Sequence, residues 1–149
     1  MITPTRSSPF AFEAINREPD ANDMKTLVDG MLSYHASKGH MRKTEYHSVL
    51  LRDAAKHLKG AIIVSFLWNG MHIDSLWIDE SIRHQGWGSK LVKIAEEEAL
   101  KRACTMAYTD TFTWQAPKFY EKQGYALYGT LNDFPKGNAL FYYSKNLTG

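Results

Sequence analysis

The stretch from Leu76 to Ala103, "LWIDESIRHQGWGSKLVKIAEEEALKRA", constrains the fold more than any other part of the chain. Leu91, Ala95, Ala99 and Ala103 recur every four residues, and Val92 and Ile94 widen the stripe. This period predicts an amphipathic helix from Ser89 to Ala103 with one face laid on an apolar layer. Glu97 with Lys101 and Glu98 with Arg102 are favourable pairs along its wet face. An apolar, β-like segment ("MHIDSLWID") precedes the helix, and the glycines of "RHQGWGSKL" join the two. A helix N-terminus leaves backbone N–H groups unpaired and carries partial positive charge. Glycines there let a phosphate approach closely, so Gly86 to Lys90 is a candidate anion site. The plain alternative is a helix that merely begins with glycines.

The rest of the chain supplies a sheet. "YHSVLLRD" and "KGAIIVSFLW" are β-branched runs separated by the polar "AAKHL". Asn69-Gly70 is a hairpin signal that makes the second run antiparallel to "MHIDSLWID". "CTMAYTDTFT", "YALYGTL" and "ALFYYSKNL" read as further strands, the last two separated by the turn "NDFPKGN". "QAPKFYEKQG" reads as a short helix closed by Gly124. Near the N-terminus, residues 1–8 read as a loose tail and "FAFEAIN" as a first strand. "REPDANDMKTLVDGMLSYHASKG" follows as a helix capped by Asp20 or Asn22, with Leu27, Met31 and Leu32 on one face. The order predicts a single α/β domain of the α+β type, over residues 1–149, on a mixed and mostly antiparallel sheet.

Composition removes several functions. A formal charge of +2 over 149 residues is too mild for nucleic acid, which needs clustered phosphate contacts. The longest apolar run, Ala61 to Trp68, is far too short to cross a bilayer. The single cysteine, Cys104, admits no internal disulfide and fits a reducing compartment. The N-terminal stretch lacks a signal peptide's apolar core, so a cytoplasmic location is expected. Histidines and acids show no metal-ligand spacing.

The glycine loop excludes two familiar nucleotide motifs. A dinucleotide fold needs a third glycine where Leu91 stands, and a Walker loop needs lysine where Ser89 follows Gly88. The pattern that fits is [QR]-x-x-G-x-[GA], carried by Arg83, Gly86 and Gly88. It resembles the pyrophosphate loop of the GNAT superfamily of acyl-CoA-dependent N-acetyltransferases. "APKFYEKQGY" is similar to that family's later helix and strand, with Ala116, Tyr120, Gly124 and Tyr125 in the matching places. The likeness runs from about Lys59 to Leu147. "DTFTWQAP" and "PKG" are similar to a bacterial subgroup with a D-[ST]-F-x-[FW]-Q-A-P segment.

The resemblance implies a sheet of about six or seven strands flanked by helices. It implies acetyl-CoA as acyl donor, with no metal. The pyrophosphate would lie on the N–H groups of His84, Gln85, Gly86, Trp87, Gly88 and Ser89, with charge added by Arg83 and Lys90. The pantetheine arm would pair with Leu76, Trp77 and Ile78, and an N–H near Ile78 would polarise the thioester carbonyl. Gln115 and Phe119 would complete the cofactor site, and Thr113 or Gln115 would stand for an asparagine common in the family. Tyr120 is the implied general acid; its plain alternative is a core aromatic on an amphipathic helix.

The residues leave the base open. Asp74 and Asp110 are acids on mostly apolar strands, which costs free energy unless they are paired or functional. Either could take the amine's proton or hold a cationic substrate. His72 is a third candidate, and a relay through water a fourth. Cys104 has no evident histidine partner for nucleophilic work.

The expected reaction is direct acetyl transfer from acetyl-CoA to the primary amine of a small polar molecule, in a monomer or a homodimer. The alternatives are a protein or aminoacyl-tRNA acceptor, and a sensor that binds acyl-CoA without turnover.

Overall fold

The computed structural model describes residues 9–149, so the expected tail at 1–8 lies outside the described residues. The chain forms two compact units, one up to Arg42 and one from Lys43 to Gly149. In the first, α1 spans Ala21–Ser37 and starts at Asp20, whose carboxylate accepts from the Asp23 N–H. Lys25 pairs with Asp29 one turn apart. Leu27, Met31 and Leu32 do share a side, yet no α1 residue is buried. Local capping and charge pairing are therefore what the sequence supplies to this helix. The stretch "FAFEAIN" forms no strand, contrary to expectation. Its apolar residues match a strand in composition, but a strand exists only through ladder pairing, and Phe10 to Asn16 join no sheet.

The second unit carries a six-stranded sheet: β1 (Glu45–Arg52), β2 (Leu58–Leu67), β3 (Gly70–Ile78), β4 (Met106–Phe112), β5 (Ala126–Asn132) and β6 (Ala139–Asn146), in the order β1-β2-β3-β4-β6-β5. Only β3 and β4 run parallel. The β2–β3 hairpin turns on Trp68 and Asn69, with Leu67 facing Gly70, one residue earlier than the Asn-Gly signal implies. Trp68 takes the positive φ, and Gly70 is already in the strand.

A short 3-10 turn (Glu80–Ile82) leads from β3 to α2 (Trp87–Lys101), and α3 (Pro117–Lys122) follows β4. Leu91, Val92, Ala95 and Ala99 bury the stripe of α2 against Ile62, Val64 and Phe66 of β2 and Met71 and Ile73 of β3. Alternation along β2 sends one set of side chains to this core and leaves the other set outside. Glu96 fastens α2 to the far strands: it takes both hydrogen bonds from Lys145 Nζ (2.8 and 3.1 Å) and one from the Tyr125 hydroxyl (3.3 Å).

Two departures from a regular sheet open a cleft. Ile63 faces Ser75 but Val64 faces Ile73, so Asp74 is the extra residue of a β-bulge. Beyond His72, β4 no longer pairs with β3. The rest of β3 therefore keeps β2 on one side and has an open edge on the other.

Candidate active site

The open edge of β3 carries usable backbone groups. The Asp79 N–H donates to the Lys59 carbonyl at 2.8 Å. Antiparallel ladders alternate bonded and non-bonded pairs, so Gly60/Ile78 and Ile62/Leu76 are non-bonded. The N–H and C=O groups of Leu76 and Ile78 consequently point away from β2 toward the cleft. Their side chains pack against the core, while Trp77 lies on the opposite face. Arg83 closes this edge: its Nε donates to the Ile78 carbonyl at 2.9 Å.

The glycine loop meets the cleft at the start of α2. Gly86 is the N-cap, with φ +85, and no side chain caps the helix. The first intrahelical bond here runs from the Lys90 N–H to the Gly86 carbonyl. The N–H groups of Trp87, Gly88 and Ser89 thus precede it and are without intrahelical partners. His84 also takes a positive φ, of 61°. Gly88 is small for a reason: a Cβ there would sit 3.2 Å from the Phe119 ring. The cleft is about 630 Å³ and is lined by these residues together with Trp114, Gln115, Ala116, Lys122 and Gln123.

Of the expected cofactor residues, Leu76, Trp77, Ile78, Arg83, His84, Gly86, Trp87, Gly88, Ser89, Gln115 and Phe119 come together on this one cleft. Gln85 and Lys90 do not line it. Gln85 Oε1 accepts from Trp87 Nε1 at 3.4 Å, and Lys90 Nζ sits 4.5 Å from the Trp87 ring centre. Gln115 Oε1 is turned back to accept from the Phe112 N–H at 2.8 Å, and Thr113 bonds Asn138 at 2.8 Å. Sequence reasoning missed Lys122 and Gln123. Gln123 Nε2 donates to Ser89 Oγ at 2.8 Å and so joins α3 to the head of α2. A residue just past a short helix gives no local sign of such a contact.

Tyr120 is not among the residues that line the cleft. It is 5 % exposed and packs edge-on against Phe119 and Tyr125. Burial pushes its phenol above the usual range, so it keeps its proton at neutral pH. The Thr109 hydroxyl donates to the Ile73 carbonyl at 3.0 Å, across the point where β3 and β4 part.

The other candidates gather on the outer face of the sheet at that same point. Asp74 Oδ1 accepts from Ser65 Oγ at 2.9 Å and is hydrogen-bonded to His72 Nδ1. His72 Nε2 is 4.0 Å from Asp110 Oδ2, and its ring lies 4.9 Å from that of Tyr108. Ser65 is legible in the sequence only as the polar interruption of an apolar run. Its partner across the hairpin is set by the register and by the bulge at Asp74.

Cys104 is buried and its thiol is pushed up by burial, which suits packing rather than nucleophilic work. Among the described residues no cluster of His, Cys, Asp and Glu could hold a metal ion, and no helix is long and apolar enough to cross a membrane.

An uncapped helix start beside an open strand edge can hold a phosphate-bearing ligand whose extended arm carries amide groups. Comparison with known proteins agrees. Residues 12–125 match the family model for the acetyltransferase (GNAT) family. The chain is 36 % identical over 97 residues to a blasticidin-S acetyltransferase of Streptomyces morookaense, covering 64 % of this chain and 71 % of that protein. It is 28 % identical over 127 residues to an acetyltransferase of Agrobacterium fabrum, covering 85 % and 92 % of the two chains. A crystal structure of an acetyltransferase from Bacillus cereus superposes with a TM-score of 0.80 at 29 % identity, over 89 % of this chain and 97 % of that one. The chain belongs to the GNAT family of acetyltransferases, enzymes that draw their acetyl group from acetyl-CoA.

Proposed function

We propose that the chain moves acetyl directly from acetyl-CoA to the primary amine of a small, polar, cationic molecule, with no acyl-enzyme stage. The observation that carries the acceptor class is the pair of carboxylates, Asp74 and Asp110, on either side of His72 on the outer face of the sheet, where β3 and β4 part. An ammonium is attracted there, and an anionic acceptor is repelled. The similarity to a protein named for acetylating blasticidin S supports a small-molecule acceptor.

Acetyl-CoA supplies the activated acetyl group. In this reading the N–H groups of Trp87, Gly88 and Ser89 bind its pyrophosphate, and Arg83 and Lys122 add positive charge around the cleft. The outward N–H and C=O of Leu76 and the N–H of Ile78 hold the pantetheine amides as an added strand would, while Arg83 occupies the Ile78 carbonyl. An N–H on this edge stabilises charge on the thioester oxygen without reorganising. Tyr120 keeps a proton for the departing sulfur.

The test is release of free CoA thiol from acetyl-CoA across a panel of amines, polyamines, aminoglycosides and carboxylate-bearing amino acids. Release that depends on cationic amines, and that drops in both D74N and D110N, is the expected result. Release with anionic acceptors instead would refute the acceptor class. Stabilisation by acetyl-CoA without release under any amine would make the protein a sensor.

A further inference from the structure

The hydrogen bonds around Asp74 decide which of the candidate groups is free to take a proton. An ionised carboxylate only accepts hydrogen bonds. Asp74 Oδ1 is shared by the Ser65 hydroxyl (2.9 Å) and His72 Nδ1. Nδ1 therefore carries the hydrogen, and the neutral ring has its lone pair on Nε2. Asp74 Oδ1 is thus committed to the ring and to Ser65, and His72 Nε2 is left for other work. That nitrogen stands 4.0 Å from Asp110 Oδ2. Two acceptors on one tetrahedral ammonium, each at about 2.8 Å, lie roughly 4.6 Å apart. The gap is close to the one an alkylammonium bridges.

We propose that His72 is the general base of the reaction, oriented by Asp74 and Ser65, and that Asp110 holds the acceptor ammonium beside its Nε2. The proposal rests on the reading that the chain acetylates a primary amine. His72 Nε2 takes one proton from the ammonium, and the freed lone pair attacks the thioester carbonyl carbon. The C–N bond forms and the C–S bond breaks. The second proton shed by nitrogen balances the one taken up by the departing thiolate, and the proton on His72 leaves to solvent. Asp74 on its own strand, Ser65 on β2, and Tyr108 and Asp110 on β4 are the polar and charged groups that face the ring. At 28 % exposure the ring is open enough to exchange that proton with water.

The experiment measures amine-dependent thiol release against pH for wild type, H72N, D74N, S65A and D110N, with acetyl-CoA affinity and melting temperature for each. Asparagine at 72 keeps a donor for Asp74 and lacks the second nitrogen. We expect H72N to lose 10²–10⁴-fold in kcat/KM, in the range for a lost general base. Its acetyl-CoA affinity should stay within about twofold, and the acid limb of its pH profile should vanish. Asparagine at 74 can donate to Nδ1 and reverse the ring's tautomer, so D74N should lose at least about 10-fold and alter the acid limb. S65A should lose a few-fold, and D110N should raise the acceptor KM more than it lowers kcat. Wild-type turnover with H72N keeping a third or more of kcat/KM and an unchanged limb overturns the role of His72 alone. Absence of amine-dependent release in wild type sinks the acetyl-transfer reading and this one with it. If H72N does not fold, D74N decides: the same activity and limb as wild type overturns the proposal.

Discussion

Replacing Gly86 by alanine separates the two things that this residue does. Gly86 holds φ at +85 and has no heavy atom within 4 Å of where a Cβ would stand. The substitution meets no steric neighbour, and its effect is purely conformational. An L-residue in the left-handed region is disfavoured by about 1–2 kcal/mol. That energy must appear somewhere. If the loop keeps its shape, folding stability falls by this amount, which for a chain of this size lowers the melting temperature by roughly 2–8 °C. If the loop relaxes instead, stability is spared, but the N–H groups at the head of α2 turn away from the phosphate. Acetyl-CoA affinity then drops by roughly 5–30-fold for the same energy. Melting curves with and without acetyl-CoA, together with calorimetric titration, measure both terms, and their sum should be about 1–2 kcal/mol. Asparagine, which tolerates this region better, should show a smaller sum. A G86A protein unchanged in both melting temperature and affinity would refute the claim that the loop needs a left-handed residue.

Gly88→Ala tests the cleft floor: helix propensity improves by roughly 1 kcal/mol, but the new Cβ presses the Phe119 ring at 3.2 and 3.3 Å. Stability should change little, while KM for acetyl-CoA rises several-fold and KM for the acceptor does not; steady-state kinetics decides. Tyr120→Phe should lower kcat at least about 10-fold and leave acetyl-CoA affinity within twofold, with a stability change of about 1 kcal/mol for one buried hydroxyl. Unchanged turnover would make Tyr120 a packing residue only. The phenols of Tyr120 and Tyr125 are both raised, first by burial and, for Tyr125, also by Glu96. Unfolded tyrosines ionise near pH 10 while these stay protonated, so their contribution is intact below about pH 10 and is lost as pH rises further. Melting temperature should therefore fall above that pH, and less steeply in Tyr125→Phe.

Much of this fold is legible from periodicity. The four-residue repeat of Leu91, Ala95, Ala99 and Ala103 marks α2; the first three and Val92 are buried on the sheet, whereas Ala103 lies past the helix end and Ile94 is exposed. The glycine loop is legible too, because only glycine suits both a positive φ at Gly86 and the close Phe119 ring at Gly88. Other features are not local. The strand expected at "FAFEAIN" has the right residues, but pairing, which no short window contains, decides strands. The turn at Trp68-Asn69 defeats the Asn-Gly signal because the β2–β3 register, set by burial of Ile62, Val64 and Phe66, outweighs the turn's preference. The bulge at Asp74 is equally silent in the sequence. Yet it joins Ser65, His72 and Asp74 into one hydrogen-bonded set and turns Leu76 and Ile78 toward the cleft edge.

The most direct test of the central claim follows the acetyl group itself. Acetyl-CoA labelled at the acetyl carbon is incubated with the protein and a cationic primary amine, and the products are read by mass spectrometry. The account predicts the label on the amine nitrogen, with one free CoA thiol for each acetylated amine and no label retained on the protein. Label recovered as acetate, or held covalently on the chain, would contradict direct transfer to an amine.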